Sequence, residues 1–106
     1  MAGPEKDREL LKRIRDCIEN GSYKFTNHAL ERRKERVFEL PDILYVLRHG
    51  FHENEKDSWD TQHGAWNYAI RGKTLERKDA RVIVSFDPSK RMLIITVIRI
   101  NKRLSL

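Results

Sequence analysis

The chain has a single cysteine, Cys17, which excludes an intramolecular disulfide and any zinc site built from several thiolates. No apolar run approaches the roughly 20 residues that a membrane span requires, and the start, Met1-Ala2-Gly3-Pro4-Glu5-Lys6-Asp7-Arg8, lacks the apolar stretch of a secretory signal. No linker rich in Gly, Ser or Pro divides the sequence, and it has no internal repeat or low-complexity segment. A glycine-rich phosphate loop and a nucleophile elbow are also missing, and no cofactor is expected. Apolar residues make up 39% of the chain, below the roughly 45–50% of an average soluble domain, so the core must be modest. These absences predict a soluble, cytoplasmic protein, and 106 residues fit one domain, 1–106.

What the chain has in excess is charge. Charged residues reach 36%, with 22 Lys and Arg against 16 Asp and Glu, for a formal net charge of +6. The excess is local: residues 71–106 carry ten basic and three acidic side chains, while Glu53 to Asp60 is a short acidic stretch. A basic surface confined to one part of a small domain points to a polyanionic partner, against the plainer reading that Lys and Arg solvate an outer face.

The hydrophobic pattern changes period along the chain. Leu10, Leu11, Ile14, Cys17 and Ile18 recur at helical spacing until Asn20-Gly21, with Pro4 placed in the first turn, so an N-terminal helix is expected within 1–21. Tyr23-Lys24-Phe25 reads as a short extended piece. Thr26 or Asn27 then caps a second, very basic helix whose thin apolar side is made by Ala29, Leu30, Arg33 and Val37. Leu40-Pro41-Asp42 starts a third helix that buries Ile43, Leu44, Val46 and Leu47, and Gly50 is expected to close it in the left-handed conformation. Beyond it the pattern alternates: Trp66, Tyr68 and Ile70, then Val82, Val84 and Phe86, as half-buried strands do. Met92 to Ile100 is a β-branched run apolar on both faces, hence central, and a further strand is expected over about Phe51 to Lys56. The fold class is α+β, with N-terminal helices packed on an antiparallel sheet of about four strands.

His28, Arg32 and Arg36 fall four residues apart and share one helical stripe. The imidazole lies in the first turn, where the helix dipole and Arg32 favour its neutral form, as a general base requires, and the guanidinium groups would hold an anion beside it. Asn67, Arg71, Arg81 and Arg99 place polar groups on strands, and Lys56, Tyr68, Lys73 and Thr96 add donors suited to a phosphate or an unstacked base. Each of these groups alone is more simply a solvent-facing side chain, so only their convergence would argue function. His49, His52 and His63, with Asp57 and Asp60, lack metal-ligand spacing, and no metal is expected. Cys17 belongs to the apolar stripe of the first helix and reads as core. Trp66, which alternates with Tyr68 and Ile70, also reads as core, while Trp59, in the acidic stretch, is the better candidate for contact with a partner.

The string Phe25-Thr26-x-His28-Ala29-x-x-Arg32-x-x-x-Arg36, with Pro41-Asp42-Ile43, Gly50, Tyr68-x-Ile70-x-Gly72 and Ile94-Ile95-Thr96-Val97, resembles a bacterial domain-of-unknown-function family, number forty-two fifty-eight, over about 23–100. In arrangement that family is similar to RelE-like and MqsR-like RNA-cleaving toxins of toxin–antitoxin pairs. The resemblance implies metal-independent cleavage of RNA, mRNA on or off the ribosome, and a cognate antitoxin that covers the basic cleft. Along the MqsR-like pattern, Lys56, Asn67 and Arg71 fall at or near positions that present active-site groups, and Arg81 stands where those chains have a tyrosine. MqsR-like chains do not share the His28/Arg32 stripe; taken together with it, the expected set is His28 as base or acid, Arg32 and Arg71 as phosphate clamps and Lys56 at the leaving group. Arg36, Asn67, Tyr68, Lys73 and Arg81 would bind RNA. The competing expectation is a non-catalytic module that holds RNA or an acidic antitoxin segment on the same basic surface.

Overall fold

A computed structural model describes residues 4–36 and 38–100, without the side chains of 32–36. Among these residues three helices, α1 (Leu10–Asn20), α2 (Asn27–Arg36) and α3 (Leu40–His49), accompany six strands. The strands are β1 (Tyr23–Phe25), β2 (Phe51–His52), β3 (Ser58–Asp60), β4 (Ala65–Lys73), β5 (Asp79–Phe86) and β6 (Met92–Arg99). The sheet runs β1-β6-β5-β4-β2, with β3 also paired to β4.

The α+β class holds, but the sheet is larger than four strands and mixed. Tyr23-Lys24-Phe25 adds to it in parallel, pairing Tyr23 with Met92 and Phe25 with Ile94. That pairing makes β6 an interior strand, which accounts for its apolar residues on both faces. The strand expected over 51–56 is broken: β2 has only two residues, a 3₁₀ turn (Asn54–Lys56) follows, and the chain returns to the same edge as β3. Asp57, inside that interruption, accepts the Ala69 N–H at 2.8 Å and replaces the missing ladder bond on β4.

α1 buries Leu10, Ile14, Cys17 and Ile18, and α3 buries Ile43, Val46 and Leu47. Against them lie Tyr68 and Ile70 of β4, Val82 and Val84 of β5, and Met92, Ile94 and Val97 of β6. Cys17 is core as expected, and burial raises its thiol pKa. Gly21 at φ +69 ends α1: its N–H donates to the Ile18 carbonyl, and the Ser22 N–H donates to that of Cys17. The helix begins only at Leu10, so Pro4 lies outside it. The segment before it crosses β4 as a strap. The Trp66 indole N–H donates to the Pro4 carbonyl at 2.8 Å, Lys6 sits 4.7 Å over the Trp66 ring, and the Asp7 N–H donates to the Tyr68 hydroxyl at 2.9 Å. No helix among the described residues is long and apolar enough to cross a membrane.

Gly50 does not take the left-handed conformation. Its φ is −80° and its ψ −176°, open to any residue. What requires glycine is proximity: a Cβ there would lie 2.5 Å from the Arg71 carbonyl oxygen and 2.6 Å from that of Val46, and one on Gly72 would lie 3.0 Å from the Gly50 Cα. The two glycines let the end of α3 touch β4. Both obstructing atoms at Gly50 are backbone, so Gly50→Ala is expected to cost about 3 kcal/mol, the upper end for overpacking. Urea unfolding should show a lower midpoint and an unchanged slope.

Candidate active site

Alternation along β4 sends Tyr68 and Ile70 to the helices and Asn67, Ala69, Arg71 and Lys73 to the other face. Arg71 pairs with Arg81 of β5, so two guanidinium groups stand side by side. Glu53, just past β2 and 7% exposed, resolves the repulsion. Its carboxylate accepts from Arg81 Nε at 2.6 Å and Nη2 at 3.2 Å, and from Arg71 Nη1 at 3.3 Å. The Arg81 hydrogen bond is the leading cause that holds the Glu53 carboxyl below its ordinary pKa, although burial pulls the other way. Asp79 adds a second carboxylate, 3.8 Å from Arg71 and 3.2 Å from Lys73.

Three of the four histidines are engaged with a neighbouring side chain. His52 Nε2 lies 2.7 Å from Asp57, whose fully buried carboxylate also meets Lys6 at 2.9 Å. His49 packs on the Tyr45 ring at 4.5 Å. His63 Nδ1 lies 2.8 Å from Asp60 Oδ2, and Asp60 Oδ1 accepts the Gln62 and His63 backbone N–H groups, so the turn between β3 and β4 is built on this carboxylate. The His63 hydrogen bond is the largest cause lowering the Asp60 pKa. Among the described residues no three His, Cys, Asp or Glu side chains gather as metal ligands would.

One cavity brings imidazoles together. About 540 Å³ in volume, it lies between the start of α2, the β3–β4 turn and the ends of β5 and β6. His28, His63, Asp60, Asn67, Ser85 and Thr26 give it polar walls, and Phe86, Leu93 and Ile95 give it apolar ones. Thr26 fixes the helix that carries His28. Its hydroxyl lies 3.1 Å from the Ile95 carbonyl and accepts the Ala29 N–H at 3.2 Å, so α2 is capped and anchored to β6 at one point. His28 is exposed and, like the Asn67 amide, has no hydrogen-bond partner among the described residues. A carboxylate only accepts, so the Asp60 contact puts the His63 proton on Nδ1 and leaves Nε2 to take or give one. Asp87, at the rim, is ionised at neutral pH. Its pKa is lowered to about 2, chiefly by the Ser89 hydroxyl and the Arg91 N–H.

Of the residues expected from sequence, His28 and Asn67 share this cavity. Arg71 and Lys73 line a different one, at the far end of β4. Arg71 and Arg81 are bound to Glu53, and Lys56 is exposed on the 3₁₀ turn and lines neither cavity. Tyr68 is on the opposite face, 5% exposed, with its hydroxyl occupied by the strap. The side chains of Arg32 and Arg36 lie outside the described residues. Trp59, expected to contact a partner, is half-buried in β3 with its ring 5.5 Å from that of Trp66, edge to face. In the sequence, His63 and Asp60 suggest no more than a weak metal site or a solvated loop. The signal for their pairing is the spacing Asp60-x-x-His63 just before an alternating strand.

The fold is thus an α+β domain whose open sheet end carries an imidazole-lined cavity. Residues 25–99 match the domain of unknown function DUF4258, and the chain belongs to that family. The matched span includes α2, α3 and β2 to β6, and leaves out the strap and α1. No curated protein and no solved structure matches the chain.

Proposed function

We propose that this protein is a metal-independent endoribonuclease, acting in the cytoplasm as the toxin of a type II toxin–antitoxin pair. The observation that carries the reading is the single cavity lined by two imidazoles, His28 and His63, with His63 seated on Asp60. RNA supplies its own nucleophile, so the protein needs only a base, an acid and groups that stabilise charge on phosphorus. His28 takes the proton from the 2′-hydroxyl, and O2′ attacks the adjacent phosphorus. His63, held through Nδ1 by Asp60, protonates the departing 5′ oxygen as the phosphorus–oxygen bond breaks. Asn67 offers its amide to a phosphate oxygen, and Arg32, one helical turn after His28, supplies the cation. Lys56 and Arg36 then contact RNA outside the reacting centre. The toxin assignment is supported by the basic charge and rests otherwise on the resemblance drawn from the sequence motifs.

Incubation with end-labelled single-stranded RNA in EDTA tests this reading. Discrete cuts leaving a 2′,3′-cyclic phosphate and a 5′-hydroxyl are expected, on free RNA or on mRNA in translating ribosomes. Products ending in 3′-hydroxyl would overturn the mechanism. Salt-sensitive binding without cleavage in either setting would make the protein a binding module for RNA or an acidic antitoxin segment.

A further inference from the structure

A second cavity, of about 580 Å³, opens where the end of α3 meets β2 and the β4–β5 turn. Its volume is within the roughly 300–1,000 Å³ of small-ligand sites. Four large apolar side chains are exposed among the described residues, and three of them, Tyr45, Phe51 and Leu75, line it. Phe51 is the most exposed, at 57%. It sits opposite Arg71 in the β2–β4 register, so ring and guanidinium rise from the same face of the sheet. Arg71, Lys73 and Arg77 line the cavity against one carboxylate, Asp79. The Arg71 Nε is buried and has no hydrogen-bond partner. Arg77 holds a φ of +67°, where an arginine is strained and glycine is not.

An exposed ring beside several cations is the pairing that holds single-stranded nucleic acid: rings stack on any base, and cations take the phosphate. The geometry points to a nucleotide-binding site here, with one base of single-stranded RNA on Phe51 and its phosphate at Lys73 and Arg77. The site deepens the RNA reading. It holds a nucleotide away from the imidazole cavity, and it needs RNA as the partner but not catalysis.

The test is the fluorescence anisotropy of a labelled single-stranded RNA with 2′-O-methyl riboses throughout, which lacks the nucleophile for cleavage. It is measured on the full chain and on F51A and R77G. Both residues are exposed, and glycine suits the backbone at position 77, so circular dichroism and melting should match wild type. F51A should weaken binding about tenfold to a hundredfold with its salt dependence unchanged. R77G should flatten the slope of log K against log salt by about 0.7, one phosphate contact. Wild-type binding in both variants overturns the site. So does an oligonucleotide that fails to bind while a Glu-rich peptide with one Trp binds and is lost in F51A, because the cavity then receives an acidic protein segment. Binding that requires Phe51 in a protein that cuts no RNA sustains the site and removes only the catalytic reading.

Discussion

Replacing His28 by alanine is expected to lower the single-turnover rate of RNA cleavage about 10²–10⁴-fold, the typical contribution of one acid or base. The fold should not change. The side chain is exposed, and α2 is held by the Thr26 cap and the fully buried Ala29 rather than by the imidazole. His63→Ala should cost a similar factor. The double variant should lose far less than the product of the two, because a proton relay missing either end is already broken. Asp60→Asn separates positioning from chemistry: it keeps an oxygen that can accept the Gln62 and His63 backbone N–H groups but removes the carboxylate that orients the His63 ring, so a smaller loss in rate is expected with no change in RNA affinity. Single-turnover rates at saturating RNA, with affinity measured separately, check all four variants. Full activity in both His28→Ala and His63→Ala would empty the cavity of its role, whatever the RNA binding.

The sequence exposed the parts of this architecture whose signals are local and left hidden those made by distant contacts. The apolar stripe of α1, the Pro41 start of α3 and the alternation of β4 and β5 are periodicities within one element, and the structure has them where the periods fall. Gly50 misled because a glycine after a helix ordinarily marks a left-handed cap. Its real constraint comes from Arg71, which joins it only through the sheet. The broken edge was hidden for a similar reason: β2 and β3 are too short for periodicity, and the Asp57 carboxylate that bridges them meets Ala69 only after folding. In the candidate site, His28 was visible as the start of a polar stripe and Asn67 as a polar group on a strand. His63 was not, because a histidine among Asp and Gly reads as loop until the turn places it in the wall of the cavity that His28 also lines. Glu53 read as part of an acidic loop, although it is the anion on which two strand arginines depend.

Glu53→Ala is expected to destabilise the protein by about 3 kcal/mol, since removing one partner of a buried ion pair leaves the other charge uncompensated. Against a total of about 5–15 kcal/mol that is a large share. The figure is at the lower end for such pairs because the Arg71 and Arg81 side chains keep 21% and 17% of their exposure and retain some hydration. The same group sets a pH dependence. Its folded pKa lies below the ordinary 4.5, so its contribution is complete above about pH 4.5, where it is ionised folded or unfolded, and is lost as pH falls through the folded value. Asp7, Asp60 and Asp87 have lowered values too and make both proteins acid-sensitive, so the Glu53 share is the difference between wild type and Glu53→Gln. Urea unfolding from pH 7 to pH 3 should show that difference shrinking below pH 4.5; a constant difference would mean that Glu53 acts through packing alone. Replacing all three charges together, as E53L/R71M/R81M, removes the need for compensation and should recover most of the lost stability. Arg71 also lines the Phe51 cavity, so the triple variant should fold well yet hold RNA more weakly. That separation would show that the arginines are kept for what they bind and that Glu53 is there to make them tolerable.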